Sequence, residues 1–419
     1  MPATSAGMTS EDHQQKEVHI LMITRDRLRA GIFLPPFHPN DEDPSFLFER
    51  DFELIQFLDK LGYDEAWIGE HHSGGYETYG SPELFIATAA ERTKRIRLGT
   101  GVISLPYHHP LMVADRMVQL DYQTRGRAMF GFGPGLLPSD AMMLGINPDQ
   151  QRDRLAEGLD IIMRLVNGEV VTAKSEWFEL REARLQLKPY TRPRPHMAVA
   201  SAITPSGGKL AGKYGFGMLC VAASNPAGYD VLDTNWRIAN EIAAQRGARM
   251  DPHDLRLMAP IHVAETREQA VANVQKGFEK FLHYSYSLRA EGPIAIGLPA
   301  SISMDNVEEL NRTGKASIGT PDDAVAMLER FWQKTGGFGC MLMLAHDWAD
   351  FEATKKSYEM FMRYVLPKFA GRNEAREASL GWIRSNREQF SGAAKGAAMK
   401  VVNAYLAEQA AKTKPEAAE

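Results

Sequence analysis

Apolar residues in this chain recur in two alternating rhythms. Short runs with little polar interruption read as buried strands: GIFLPP (31–36), DEAWIG (64–69), IRLGTGVISL (96–105), RAMFGFG (127–133), HMAVA (196–200), GMLCVA (217–222), LRLMAPIHVA (255–264) and GCMLML (339–344). Between them the period lengthens to that of a helix. Phe48, Phe52, Leu54, Ile55, Leu58 and Leu61 share one face before Gly62 stops the run, and Leu155, Leu159, Ile162, Met163 and Val166 share another. PELFIATAAERT (82–93) and HPLMVADRMVQLDYQT (109–124) carry proline in their first turn, as helix starts do. Further helical stretches cover 204–214, 228–246, 266–283, 319–333 and 350–366. Residues 170–187 alternate at period two and read as an exposed hairpin outside the main repeat.

About eight strand-then-helix units with uniformly apolar strands predict a parallel sheet covered on both faces. Over this length they fit one closed α/β barrel, the (β/α)8 or TIM barrel, better than an open doubly wound sheet with a helical cap. The barrel is expected over 28–370, after a polar extension at 1–27. Residues 284–318, rich in Gly, Pro, Ser and Asn, interrupt the pattern after the seventh unit and are expected to form a mobile insertion serving as a lid, with Gly292, Gly297 and Gly314 as hinge points. Residues 371–419 read as an appended helical tail that packs on a partner subunit and frays at KTKPEAAE.

Composition narrows the function classes. The net charge of −5 over 419 residues gives no electrostatic reason to expect nucleic acid or an anionic membrane as partner. No apolar run approaches the ~20 residues that span a bilayer, and the start, MPATSAGMTSEDHQQKE, lacks the apolar core of a secretory signal. The expected compartment is the cytoplasm. Cys220 and Cys340 lie far apart in apolar runs and read as small core residues.

In a closed parallel barrel the chemistry sits at the C-terminal ends of the strands. Those ends carry Phe37 and His38; Glu70, His71 and His72; Tyr107, His108 and His109; Gly133 to Asp140; and Ser201 to Thr204. Histidines from three strand ends therefore meet at one mouth. No metal is expected, because His71 and His72 are neighbours on extended chain and point to opposite faces. A histidine suits proton exchange at neutral pH. GFGPGLLPSD (131–140) is neither a P-loop nor a dinucleotide fingerprint; it allows a flat group to approach the backbone. ASAITPSGGK (200–209) leads into a helix whose unpaired first N–H groups suit a phosphate.

At this point five segments, in order, resemble the bacterial-luciferase-like flavin monooxygenases, a family of (β/α)8 barrels: WIGEHH (67–72), IRLGTGVISLPYHHP (96–110), RAMFGFGPGL (127–136), VASAITP (199–205) and IGTPDDA (318–324). The similarity runs from about Gly31 to Phe369. More narrowly, GIFLPPFHPNDEDP, GYDEAWIGEHHSGGYE, GPGLLPSDAMM and REASLGWIRSNREQFSG look like the limonene 1,2-monooxygenase branch.

The resemblance implies reduced flavin, FMN or FAD, supplied by a separate NAD(P)H-dependent reductase. It implies O2 as co-substrate, a flavin C4a-(hydro)peroxide, and insertion of one oxygen atom into a small apolar substrate such as a monoterpene. A homodimer is the family expectation. Residue by residue, His71 matches the active-site histidine, with Glu70 and His109 as further catalytic candidates. Gly101–Val102 matches a non-proline cis peptide beside the flavin ring. Gly133 and Asp140 match positions near the flavin, and Ser201 and Thr204 the phosphate-binding positions. Phe37, Tyr76, Tyr79, Tyr107 and Leu137 are expected to line the substrate pocket. One departure stands out: where luciferase has a reactive cysteine followed by arginine, this chain has Gly133 and Pro134, which leaves FMN versus FAD open. The alternatives are an F420-dependent oxidoreductase of the same barrel without oxygen chemistry, and a non-catalytic flavin-binding partner protein.

Overall fold

The computed structural model describes residues 23–288 and 298–412. Most of the 1–27 extension, residues 289–297 with Gly292 and Gly297, and nearly all of the KTKPEAAE end lie outside the described residues. The strands in chain order are β1 (Arg29–Leu34), β2 (Glu65–Ile68), β3 (Arg97–Ser104), β4 (Ala128–Gly133), β5 (Val171–Lys174), β6 (Glu179–Ala183), β7 (His196–Ser201) and β8 (Gly217–Cys220). They continue with β9 (Leu255–Ala259), β10 (Ile261–Val263), β11 (Ser317–Gly319) and β12 (Cys340–Leu344). Eight of these close a barrel in the order β1-β2-β3-β4-β7-β8-β9-β12, every neighbouring pair parallel. They are the eight strands that the apolar runs predict. β5 and β6 form a separate antiparallel hairpin.

Period-two alternation sorts each strand between two cores. Outward residues such as Ile32, Leu34, Ala66, Ile68 and Leu98 pack beneath the helices, against Ile55, Leu58, Ile86 and Ala89. Inward residues fill the barrel: Trp67, Met129, Ala198, Leu219, Cys340 and Leu342, with Phe33, Val102 and Met258 against them. Trp67 is too large for this layer unless its neighbour is bare. A Cβ at Gly99 on β3 would sit 2.5 Å from the Trp67 ring.

Glu65, two residues before Trp67, shares its inward face and is fully buried. Its carboxylate accepts hydrogen bonds from Arg256 Nε (2.6 Å), Arg97 Nη2 (2.9 Å) and Trp67 Nε1 (3.0 Å), and it pairs with Arg29. Strands β1, β2, β3 and β9 are thereby tied at the base of the barrel. The Arg256 guanidinium also lies over the Trp67 ring, 5.1 Å from its centroid. Burial pushes the Glu65 carboxyl up, but Arg256 and then Arg29 outweigh it and hold it far below the usual carboxylate range.

Two segments differ from the sequence expectation. LRLMAPIHVA is not one strand: Pro260, without an N–H, ends β9, and β10 leaves the barrel to pair with β11. The insertion at 284–318 is, where described, folded wall and not open loop. Residues up to Leu288 complete a helix from Arg267, and Met304–Thr313 is a second helix. That second helix starts at a Ser303–Asn306 capping box and ends at Gly314 in the left-handed region (φ 72°). Ile302, Val307, Leu310, Ala316 and Ile318 pack with Phe278 and Trp348 in a second hydrophobic cluster. Glycine and serine content obscured the capping signal.

The chain divides into two units, Met1–Ala370 and Gly371–Glu419. The second consists of helices Glu374–Ser385 and Arg387–Lys412, with no buried residue. No helix among the described residues is long and apolar enough to cross a membrane.

Glu65→Gln should destabilise the barrel by about 3–5 kcal/mol, because it removes the buried counter-charge of Arg256 and of the partly buried Arg29 and Arg97; urea unfolding checks this. Since the folded-state pKa of Glu65 lies below its unfolded value, its contribution is present in full above the unfolded value of 4.5 and is lost as pH falls below it. The variant should therefore lose less stability than the wild type between about pH 4.5 and lower values. Leu310→Ala should cost about 2–5 kcal/mol in the same assay, whereas a mobile lid would tolerate it.

Candidate active site at the strand-end rim

The rim chemistry begins where β2 runs out. Backbone alternation sends the adjacent histidines apart. His71 turns toward Asp140 and Glu77, whereas His72 turns toward Glu70 and His108.

The His72 side is a closed knot of hydrogen bonds. Glu70, buried, presents Oε1 to His72 Nε2 at 3.0 Å and to His108 Nε2 at 2.8 Å, while Oε2 accepts from the Ser104 backbone N–H at 3.0 Å. Both carboxylate oxygens are occupied, so Glu70 pins the ends of β2 and β3 together. Burial works to raise its pKa, but hydrogen bonds from His108 and His72 bring it below the ordinary glutamate value. Among the described residues this is the one group of three ligand-type side chains close enough to hold a cation, their atoms within 4.8 Å. The His71–His72 spacing argument did not reach it, because His72 is joined there by His108 from another strand end. Glu70 is the partner of both histidines, and it also accepts from the Ser104 N–H.

The His71 side is more open. Nδ1 lies 3.2 Å from Asp140 Oδ2 and Nε2 lies 3.2 Å from Glu77 Oε2. Asp140, at the start of the helix Pro138–Met143, also accepts from the His72 backbone N–H (3.1 Å) and from Ser73 Oγ. Burial would lower the His71 pKa, but Glu77 and then Asp140 outweigh it and raise it above 6.5. Asp140 is held below its ordinary value, its His71 and Ser73 hydrogen bonds outweighing burial, while Glu77 is raised by burial. A cavity of about 350 Å3 opens beside them, lined by His71, His72, Ser73, Gly75, Glu77, Thr78 and Gly80. That volume lies within the range of small-ligand sites.

Glu77 escaped the sequence reading, which took the tyrosines of that loop and passed over the lone carboxylate between them. The loop is held from two sides. Phe37 bridges Glu77 through the backbone, and the His38 N–H donates to Tyr76 O at 2.9 Å. Tyr76 stacks on Tyr284 of the helix Arg267–Leu288 (4.5 Å, 5°), and Phe37 meets Tyr76, Phe281 and Tyr284 at 5.3–5.4 Å.

The remaining site candidates fall in several places. Phe37 and Tyr79 are buried packing residues, and the Tyr79 hydroxyl donates to Asp51 at 2.7 Å. His38 pairs with Asp51 of the first helix (2.9 Å) and with Asp347, which follows β12; burial alone would lower its pKa, but these carboxylates push it up to about 9. Tyr107 accepts from Gln151 Nε2 at 2.8 Å and faces His72, their rings 6.0 Å apart. Leu137 is buried. The Gly101–Val102 peptide is cis, as the resemblance implies. Gly133 is bare because of Val102: a Cβ there would lie 2.5 Å from Val102 Cγ2. His109 caps the helix Pro110–Gln123 with its backbone, and its Nδ1 is buried without a partner among the described residues. Ser201 is buried at the end of β7; Thr204 is exposed, its hydroxyl 2.9 Å from that of Ser206. The cysteines are buried and free.

Residues 28–339 match the family model described as luciferase-like monooxygenase. The chain is 46% identical to limonene 1,2-monooxygenase of Rhodococcus erythropolis over 346 residues, spanning 82% of this chain and 87% of that one. It is 44% identical to 4-hydroxyprotoasukamycin monooxygenase of Streptomyces nodosus subsp. asukaensis, spanning 88% of this chain and 100% of the relative. Among solved structures, the monooxygenase RslO1 from Streptomyces bottropensis superposes with a TM-score of 0.70 at 25% identity, covering 82% of this chain and 100% of its own. With the eight-stranded parallel barrel in place and its ionisable groups gathered at the strand-end rim, the chain belongs to the luciferase-like monooxygenase family.

Proposed function

We propose that this protein is the oxygenase component of a two-component flavin-dependent monooxygenase. It takes reduced FMN or FAD from a separate NAD(P)H-dependent reductase and inserts one atom of O2 into a small apolar substrate. The observation that carries this reading is His71, a histidine at the strand-end rim, beside a ligand-sized cavity, with a carboxylate at each ring nitrogen.

The rim fits a phosphorylated flavin. The helix Ser206–Tyr214 begins without a side-chain cap, so its first N–H groups have no partner within the helix, next to the exposed Thr204 hydroxyl. The buried, unpartnered His109 Nδ1 adds a polar atom that lacks a protein partner among the described residues. When bound, reduced flavin supplies two electrons and the centre at which O2 is activated, one oxygen atom going to substrate and the other to water. His71 then holds and moves a proton at Nε2, with Asp140 fixing its ring at Nδ1. Glu70 keeps His72 and His108 in place, and the aromatic packing of Phe37, Tyr76 and Tyr284 closes one wall against water. Two relatives at similar identity are named for dissimilar molecules, limonene and 4-hydroxyprotoasukamycin, so the shared element is oxygen insertion. A monoterpene such as limonene is the first substrate to test.

The test mixes the full chain anaerobically with photoreduced FMN, FAD or F420, then adds aerated buffer with and without limonene. Oxygenated product formed with FMN or FAD supports the reading; tight F420 binding with no oxygenated product overturns it. His71→Ala should retain flavin binding but lose product formation by ~10²-fold or more, with oxygen consumed appearing as H2O2. Unchanged coupling of product to oxygen would remove His71 from its role.

A further inference from the structure

Resting on His71 as the working histidine, we propose that Glu77 is the positioning residue that sets its protonation: Glu77 stands as the counter-charge at Nε2 while Asp140 is hydrogen-bonded at Nδ1, so the ring enters turnover as a proton donor. The geometry is specific. A neutral imidazole has one N–H and one bare nitrogen, and a bare nitrogen facing a carboxylate oxygen at 3.2 Å is two acceptors in contact. Carboxyl oxygens stand at that distance from both nitrogens, Asp140 as a hydrogen-bond partner and Glu77 as an ion-pair contact, so with both carboxylates ionised the doubly protonated ring is the form that satisfies them together.

Glu77 is also placed, not incidental. Its backbone pairs with Phe37, and the His71 N–H donates to Tyr79 O at 3.1 Å, closing the loop back on β2. From the other side Tyr284 OH donates to Glu77 Oε2 at 3.5 Å. Gly74, in the left-handed region (φ 89°), lets the loop come close to Tyr284, where a Cβ would lie 2.7 Å from the hydroxyl.

The charged and titratable groups around the pair come from four elements. Asp140 stands on its short helix, and Glu70 and His72 flank His71 on its own strand end. Tyr284 approaches from the long helix, and Tyr107 follows β3. Burial pushes both tyrosine hydroxyls up, Tyr107 to about 12, so both are neutral. Glu77 and Asp140 head the forces that raise His71 against burial, with Glu70 adding to them.

The test is a histidine Cε1–H NMR titration of the full chain, with His71 assigned by the signal missing from His71→Ala. Glu77→Gln keeps the shape and removes the charge. It should lower the His71 pKa by about one unit, leave flavin binding unchanged, and shift the high-pH fall in product coupling to lower pH by the same amount. Glu77→Asp, which keeps the charge, should recover at least half of that shift. A role confined to packing would lower coupling equally at every pH and leave the titration where it is. An unchanged His71 pKa in a Glu77→Gln protein of wild-type melting temperature overturns the inference. If the pKa moves but the coupling profile does not follow, Glu77 sets the protonation of His71 and the proposed role of His71 in turnover fails instead.

Discussion

The rest of the structure depends on a single buried carboxylate. A closed parallel barrel brings eight strands side by side, and in this one the base of the interior carries charge. Glu65 accepts from Arg256, Arg97 and Trp67 and pairs with Arg29. Those groups come from four of the eight strands. An apolar layer there would fill the space without fixing which strand stands opposite which, whereas guanidinium groups around one carboxylate satisfy their donors in one arrangement only. The cost is desolvation of several charges, which the bonds within the knot offset. Register follows from this base: β1 pairs Gly31 with Glu65 and Arg29 with Cys340, and every strand end then falls at a defined height on the opposite rim.

That height decides the chemistry. Gly69 follows β2 and the next three residues, Glu70, His71 and His72, project at the rim, where each meets groups from other strand ends. Glu70 reaches β3 through the Ser104 N–H and His108. His71 meets Asp140 from the segment after β4. No one of these contacts is local in sequence, so each depends on closure of the barrel below. Destabilising the base therefore reaches the rim through register, with no contact between Glu65 and any rim residue required.

How much of this the sequence discloses depends on whether a residue's setting is periodic. The eight barrel strands were legible because parallel strands buried on both faces are apolar throughout, and proline or capping residues marked the helix starts. Pro260 was visible but underweighted: it sits inside an apolar run, and only pairing with β11 distinguishes a broken strand from a long one. Glu65 reads as polar punctuation before a strand, since alternation says that it shares a face with Trp67 but not that this face is interior. At the rim, His71 and Asp140 were legible through family resemblance. Glu77 was not, because its position depends on a loop folded against a helix some 200 residues later, which no spacing encodes. His38 could be placed after β1 from the sequence, but its partners could not. The side chain pairs with Asp51 of the helix Pro44–Leu61 and with Asp347 after β12, neither of which its spacing encodes.

The adjacent histidines illustrate why a motif is a poor unit of function. Glu-His-His invites a single constellation, but extended backbone divides it. His72 joins Glu70 and His108 in a knot whose carboxylate has both oxygens spoken for, an arrangement suited to rigidity. His71 joins Asp140 and Glu77, where the two carboxylates differ: Asp140 sits among donors that favour its charge, and Glu77 sits in a setting that penalises it. The two ring nitrogens are therefore not equivalent: Nδ1 is hydrogen-bonded to Asp140, and Nε2 stands 3.2 Å from Glu77 as an ion-pair contact. Nδ1 is held by Asp140, and Nε2 is on the side of Glu77, which lines the cavity. A closed hydrogen-bond knot on one face and an ionisable ring between two carboxylates on the other come from the same three residues, and the peptide geometry that separates them is the period of a strand.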